Sequence, residues 1–85
     1  MVTRVALIGI VVEDRESTEK LNQILHQHGD WIIGRMGVPY RERGLSIISV
    51  AVDAPEPVLS AIAGKLGLLP GVSAKIVYAK KPSAP

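Results

Sequence analysis

The sequence predicts an α+β fold: a ferredoxin-like βαββαβ sandwich, in which a four-stranded antiparallel sheet carries two helices on one face. Three observations carry this. Apolar periodicity changes along the 85 residues in the order strand, helix, strand, strand, helix, strand. Two strand–helix–strand halves with right-handed crossovers build that sandwich and put its first and third strands in the centre. Those two strands, residues 5–12 and 45–52, are the two that are apolar on both alternating faces.

Each element has its own signal. Residues 2–12 form the first strand, with Val5, Leu7 and Val11 on one face and Ala6, Ile8, Ile10 and Val12 on the other. Asp14 is the expected cap of the first helix, with Glu16 and Glu19 meeting the positive end of its dipole. The buried stripe of that helix is Leu21, Ile24, Leu25 and His28, and Gly29 is expected to end it. Residues 31–38 alternate as a second strand, softened by Gly34 and Gly37, where a bulge or close backbone approach is expected. Residues 39–44 form a polar turn. The third strand follows over residues 45–53, with Ile48, Val50 and Val52 opposing Leu45, Ile47, Ser49 and Ala51.

Pro55, Glu56 and Pro57 open the second helix, because N–H groups in the first turn have no helical partner to lose. Its stripe is Val58, Leu59, Ile62, Ala63 and Leu66, with Gly67 expected as the stop. Pro70 and Gly71 turn the chain into a fourth strand over residues 72–79. Residues 1–80 are expected to form one domain and residues 81–85 a flexible tail.

The central strands predict association. Successive side chains of a strand point to opposite faces, so a strand covered on one side reads apolar–polar. These two read apolar on both sides, yet only two helices exist, enough to cover one face. The second face calls for a second copy, giving a dimer or tetramer. Val5, Leu7, Val11, Leu45 and Ile47 are the candidate interface set, and the register decides which side each set takes. A chain this short buries only about 60–65% of its unfolded surface, so association adds burial it needs.

Composition narrows the chemistry. There are no cysteines, which excludes thiolate metal sites, cysteine nucleophiles and disulfides within the chain. The net charge of +2 concentrates no basic stripe of the kind nucleic-acid binders carry. No apolar run reaches the roughly 18 residues of a membrane span. No signal-peptide pattern precedes the first strand, so a cytoplasmic location is expected.

No motif assembles a catalytic set. Ile32–Gly37 resembles locally the Gly-x-x-Gly loop of KH domains, but Pro39 and Gly44 bracket a turn into a strand rather than a helix start. Nucleic-acid clamping by Gly34–Gly37 is therefore disfavoured. His26 and His28, two apart on a helix, point about 200° away from each other, and chelation needs a spacing of three or four. No metal site or cofactor is implied. Ser17, Ser46, Ser49, Ser60 and Ser73 lack a nucleophile-elbow setting, and no phosphate-loop glycine motif exists. An enzyme is not expected.

One polar concentration remains, Arg35 to Gly44, with three arginines and Tyr40 around a single hairpin. Arginine with tyrosine is the chemistry of carboxylate and phosphate recognition and of interface anchors. The candidate ligand contacts are Glu13, Asp14 and Arg15 from the first turn, with Arg35, Tyr40, Arg41 and Arg43 from the hairpin. The arginines would hold an anionic group, Tyr40 would stack or donate its hydroxyl, and Asp14 would meet a cationic group.

With this element order, the segments Val11-Val12-Glu13-Asp14-Arg15, Arg35-Met36-Gly37-Val38-Pro39-Tyr40 and residues 59–67 together resemble a small family of regulators assigned to the iron-only hydrogenase system. The resemblance runs from Arg4 to about Tyr78. That family is similar in fold to ACT domains and to the C-terminal domain of nickel-responsive repressors. The resemblance implies an oligomer built through its sheets, with a small-molecule effector at subunit interfaces, acting as a regulatory or sensor module. Histidine and cysteine nickel ligands on the strands are missing here, as is a ribbon–helix–helix DNA-binding segment, so neither nickel sensing nor operator binding carries over. An assembly module that gathers protein partners without a ligand is the competing reading. A polar interface cavity favours the sensor and a dry interface favours the adaptor.

Overall fold

The computed structural model describes residues 2–80. The expected tail, residues 81–85, lies outside the described residues. The strands are β1 (Arg4–Val12), β2 (Ile32–Tyr40), β3 (Leu45–Ala54) and β4 (Val72–Tyr78), and the helices are α1 (Thr18–Gln27) and α2 (Glu56–Gly67). They follow one another as βαββαβ, and the strands form one sheet in the order β2-β3-β1-β4. Every neighbouring pair is antiparallel. The ferredoxin-like expectation holds, with β1 and β3 at the centre.

The register settles which side the helices take. Ile8 pairs with Val50 and Ile76, and Ile10 with Ile48 and Ala74. Even-numbered residues of β1 and β3 thus share one face, and Ala6, Ile8, Ile10, Val12, Ile48, Val50, Val52 and Ala54 are all buried. Leu21 and Leu25 of α1 and Leu59, Ile62 and Leu66 of α2 complete this core, packed from the same side. Burying an aliphatic side chain of this size contributes about 1.5–3 kcal/mol, so this layer supplies most of the hydrophobic driving force.

Local details depart from expectation at the helix ends. Asp14 does cap, its Oδ1 accepting from the Glu16 N–H at 2.9 Å, but it caps a short 3₁₀ turn at Arg15–Ser17. The tight turn arises because the Ser17 N–H returns to the Asp14 carbonyl at 3.1 Å. Ser17 itself is buried and donates its hydroxyl to the Pro70 carbonyl at 2.6 Å, tying the start of α1 to the loop before β4. Gly29 follows α1 but opens a 3₁₀ turn at Gly29–Trp31 rather than adopting a left-handed cap. Gly67 is the last residue of α2, with Leu68 as its cap. The left-handed glycines are Gly44 (φ 66°) and Gly71 (φ 67°), both leading directly into strands. β2 carries the expected irregularity, a register shift between Ile32 and Gly34.

Arg4 fastens three elements at one corner. Its guanidinium reaches Glu56 Oε1 at 2.7 Å, donates to the Ala79 carbonyl at 3.1 Å and lies 4.3 Å from the centre of the Tyr78 ring.

Candidate functional site

Two surfaces stand out once the core is built. The first is the sheet face away from the helices. Cross-strand pairing lays its residues in rows: Val77–Leu7–Ala51–Gly34, then Lys75–Gly9–Ser49–Met36, then Ser73–Val11–Ile47–Val38. Leu7 is 44% exposed, Ile47 47%, Val77 65% and Met36 67%. Val5, Leu7, Val11, Leu45 and Ile47 all follow the odd-numbered alternation that belongs to this face. Met36, Val38 and Val77 extend it onto both edge strands. Their alternation with Arg35, Gly37 and Ile76 was the signal for them in the sequence. Shallow hollows lie between Leu7, Ala51 and Val77, and between Leu7, Met36 and Ser49. Lys75, Gly9 and Ser49 cross the middle of the face between two apolar bands, and exposed apolar surface gathered on one face in this way marks interaction sites on small proteins.

The second surface is a cavity of about 370 Å³ at the end of the sheet where β1 leaves and the β2–β3 connection turns. Its floor is a single cross-strand row, Val12–Ser46–Pro39. Arg15 and Thr18, from the turn that starts α1, form one wall, while Arg41, Gly44 and Leu45 form the other. Gly44 makes the tight left-handed exit into β3, which sets the Arg41–Arg43 turn beside the start of α1.

The predicted ligand contacts divide among several places. Arg15 and Arg41, 26 residues apart in the chain, meet in this cavity. Arg35 does not join them: it bonds Asn22 Oδ1 on α1 at 3.0 Å and borders a separate hollow with His26 and Ile32. Tyr40 takes the open-face side of the hairpin, opposite Leu45, and donates to Glu42 Oε2 at 3.3 Å. Arg43 is exposed and outside the cavity lining. Asp14 serves its turn, with its own Cβ packed where a Gly71 side chain would stand, and Glu13 donates its N–H to the Gly71 carbonyl at 2.7 Å. Thr18 and Ser46 also line the cavity, and neither is among the expected ligand contacts. Ser46 was visible as a polar residue closing the helix-facing row Ile48–Val50–Val52.

Among the titrating groups, His28 has a shifted equilibrium. Partial burial lowers its pKa from 6.5, and the Lys65 ammonium, with Nζ 3.5 Å from Nε2, lowers it further. It sits at the α1–α2 seam, away from both surfaces.

The fold and the two surfaces define a class, the ferredoxin-like, ACT-type module with one bare sheet face. Fold likeness reaches into a formyltetrahydrofolate deformylase from Pseudomonas putida KT2440, at 11% identity and a TM-score of 0.63, covering 86% of this chain and 28% of that one. The particular family follows from sequence. Residues 4–76 match the TM1266-like family, described as "Iron-only hydrogenase system regulator, putative", and the chain belongs to that family. It is similar to the uncharacterized protein TM1266 of Thermotoga maritima, with 37% identity over 92% of this chain and 99% of that one and a TM-score of 0.89. No curated protein matches the chain.

Proposed function

We propose that this chain is a regulatory module of the iron-only hydrogenase system that works as a pair of copies joined through their open sheet faces and responds to a small-molecule effector held in the cavity of each chain rather than at the seam. The observation carrying the pairing is the uncovered apolar face. Four strands spaced about 4.8 Å apart, each about 25–30 Å long, present roughly 500 Å² per copy. Pairing two such faces buries about 1,000 Å² in total, the lower bound for a specific interface. A second copy fits because an identical face offers matching apolar area, and sheets pack readily face to face about 10 Å apart.

The open face also carries its own polar pair. Lys75 lies in the middle row on β4, and Asp53 lies at the end of the face opposite Val5, with a buried Oδ1 that has no hydrogen-bond partner among the described residues. A two-fold operation that exchanges two faces brings residues from distinct positions together in pairs. Lys75 of one copy against Asp53 of its mate would set an ammonium beside a half-buried carboxylate. Sedimentation of the full chain over a wide concentration range tests the pairing: a dimer or tetramer supports it, and a monomer at every concentration overturns it.

A further inference from the structure

The cavity beside Arg15 and Arg41 lies on the helix-bearing side of the sheet, because its floor continues the row that carries Val12 and Ser46, neighbours of the buried core. It is complete within one chain. No acidic side chain lines it, and among the described residues the ion pair within 4.0 Å is Arg4–Glu56, at the far corner. Two arginines therefore line one concavity whose lining holds no carboxylate, and neither is ion-paired among the described residues.

We propose that this cavity binds a small phosphomonoester, an inference that rests on the effector-responsive reading above and gives the effector its chemical class. Guanidinium forks match the oxygen geometry of phosphoryl groups, and charge-assisted bonds of this kind are the strong ones. The phosphoryl dianion neutralises both arginines, whereas a carboxylate would leave one uncompensated. The hydroxyls of Thr18 and Ser46 add donors without adding charge. The organic part of the ligand has its own surface in Val12, Pro39 and Leu45, and a volume of about 370 Å³ exceeds what a bare ion fills. It falls in the range of small-molecule sites, about 300–1,000 Å³.

The test is an amide-resolved NMR titration of the full chain with glycerol phosphate, inorganic phosphate and acetate at constant ionic strength. The expected result is saturable shifts at Thr18, Gly44 and Ser46, tightest for glycerol phosphate and absent for acetate. Arg15→Gln and Arg41→Gln should each weaken binding by about tenfold or more. Both side chains are exposed, so the spectra of these variants should otherwise remain native. Arg43→Gln, outside the cavity, should bind as the wild type does.

Absence of saturable shifts with both phosphates overturns the site. Equal binding of acetate, or equal weakening by Arg43→Gln, reduces it to general surface charge and overturns it too. Inorganic phosphate binding as tightly as glycerol phosphate overturns the organic half of the assignment. Sedimentation of the same samples reads pairing separately, so an intact dimer with a failed titration sinks the cavity proposal alone.

Discussion

Replacing Leu7 with glutamate is the sharpest test of the open face. Leu7 sits on central strand β1 between Ala51 and Val77, and 44% of it is exposed in the single chain. Fully burying a leucine is worth about 1.5–3 kcal/mol, so covering its open fraction contributes about 1 kcal/mol per copy and about 2 kcal/mol to a symmetric pair. Glutamate removes that gain and adds two carboxylates to a drying seam, each costing at least 1 kcal/mol even with partial hydration. The sum, about 4 kcal/mol, is a dissociation constant raised roughly a thousandfold. The isolated fold should hardly notice, since a carboxylate at this position reaches water. Sedimentation of Leu7→Glu from low to high micromolar should show a monomer where the wild type is paired, with circular dichroism unchanged. Leu68→Glu is the control: Leu68 is 85% exposed at the end of α2, off the sheet, and should leave pairing intact. Wild type and Leu7→Glu sedimenting alike, whether both paired or both single, would refute the reasoning.

Further outcomes follow from the turns, the corner and the helix seam. Gly71→Ala places a Cβ 2.7 Å from Asp14 Cβ at φ 67°, while Gly44→Ala at φ 66° meets nothing within 4 Å. Thermal and urea melts should therefore show a loss of about 3 kcal/mol for the first and about 1 kcal/mol for the second; equal losses would contradict the crowding. Arg4→Met and Glu56→Gln in a double-mutant cycle should couple by only about 0.5 kcal/mol, because both side chains keep contact with water. A coupling of several kcal/mol would mean the corner is far drier than its exposure indicates. His28 has its pKa lowered in the folded chain, by burial first and Lys65 second. The unfolded chain then binds the proton more readily, so the stability linked to His28 is fully present above pH 6.5 and is lost as pH falls through the folded value. Urea midpoints at about pH 7.5 and about pH 5 should fall less on acidification for His28→Gln than for wild type. Parallel falls would remove His28 from the account.

The layer plan was readable because two strands broke the one-face rule. Ile8 and Ile10 against Leu7 and Val11, and Val50 and Val52 against Ile47 and Ala51, announced a central position and a second apolar face before any pairing was known. Which set faced the helices was not readable, since alternation gives two faces but no sign, and the sign comes from where α1 and α2 cross the sheet. The helix ends differ from expectation because neither Gly29 nor Gly67 adopts the left-handed conformation of a glycine stop. α2 runs through Gly67, and Leu68 ends it with its N–H on the Gly64 carbonyl at 3.2 Å.

Nearness in sequence does not group the candidate contacts in space. Arg35, Tyr40, Arg41 and Arg43 are close in sequence, but pleating sends Arg35 towards α1 and Tyr40 towards the open face. Arg15 and Arg41 meet only because the β1–α1 turn and the β2–β3 turn lie at the same end of an antiparallel sheet. That follows from topology, and no local motif contains it.

Placing the open face and the cavity on opposite sides of the sheet limits how one could control the other. They share Leu45, which lines the cavity wall and by its alternation pairs with Tyr40 on the open-face side. A ligand shifts pairing only as far as it binds paired and single chains differently, and pairing then changes ligand affinity by the same factor. Measuring that factor from both directions is therefore one experiment with an internal check. If Leu45 carries the coupling, Leu45→Ala should bring the factor to one while leaving both binding and pairing measurable. A factor that survives in Leu45→Ala would place the connection in the Arg41–Arg43 turn, which borders the same cavity and joins Tyr40 directly. A factor of one in the wild type would make pairing constitutive, and the effector would then have to act by changing the helix-side surface that a third protein meets.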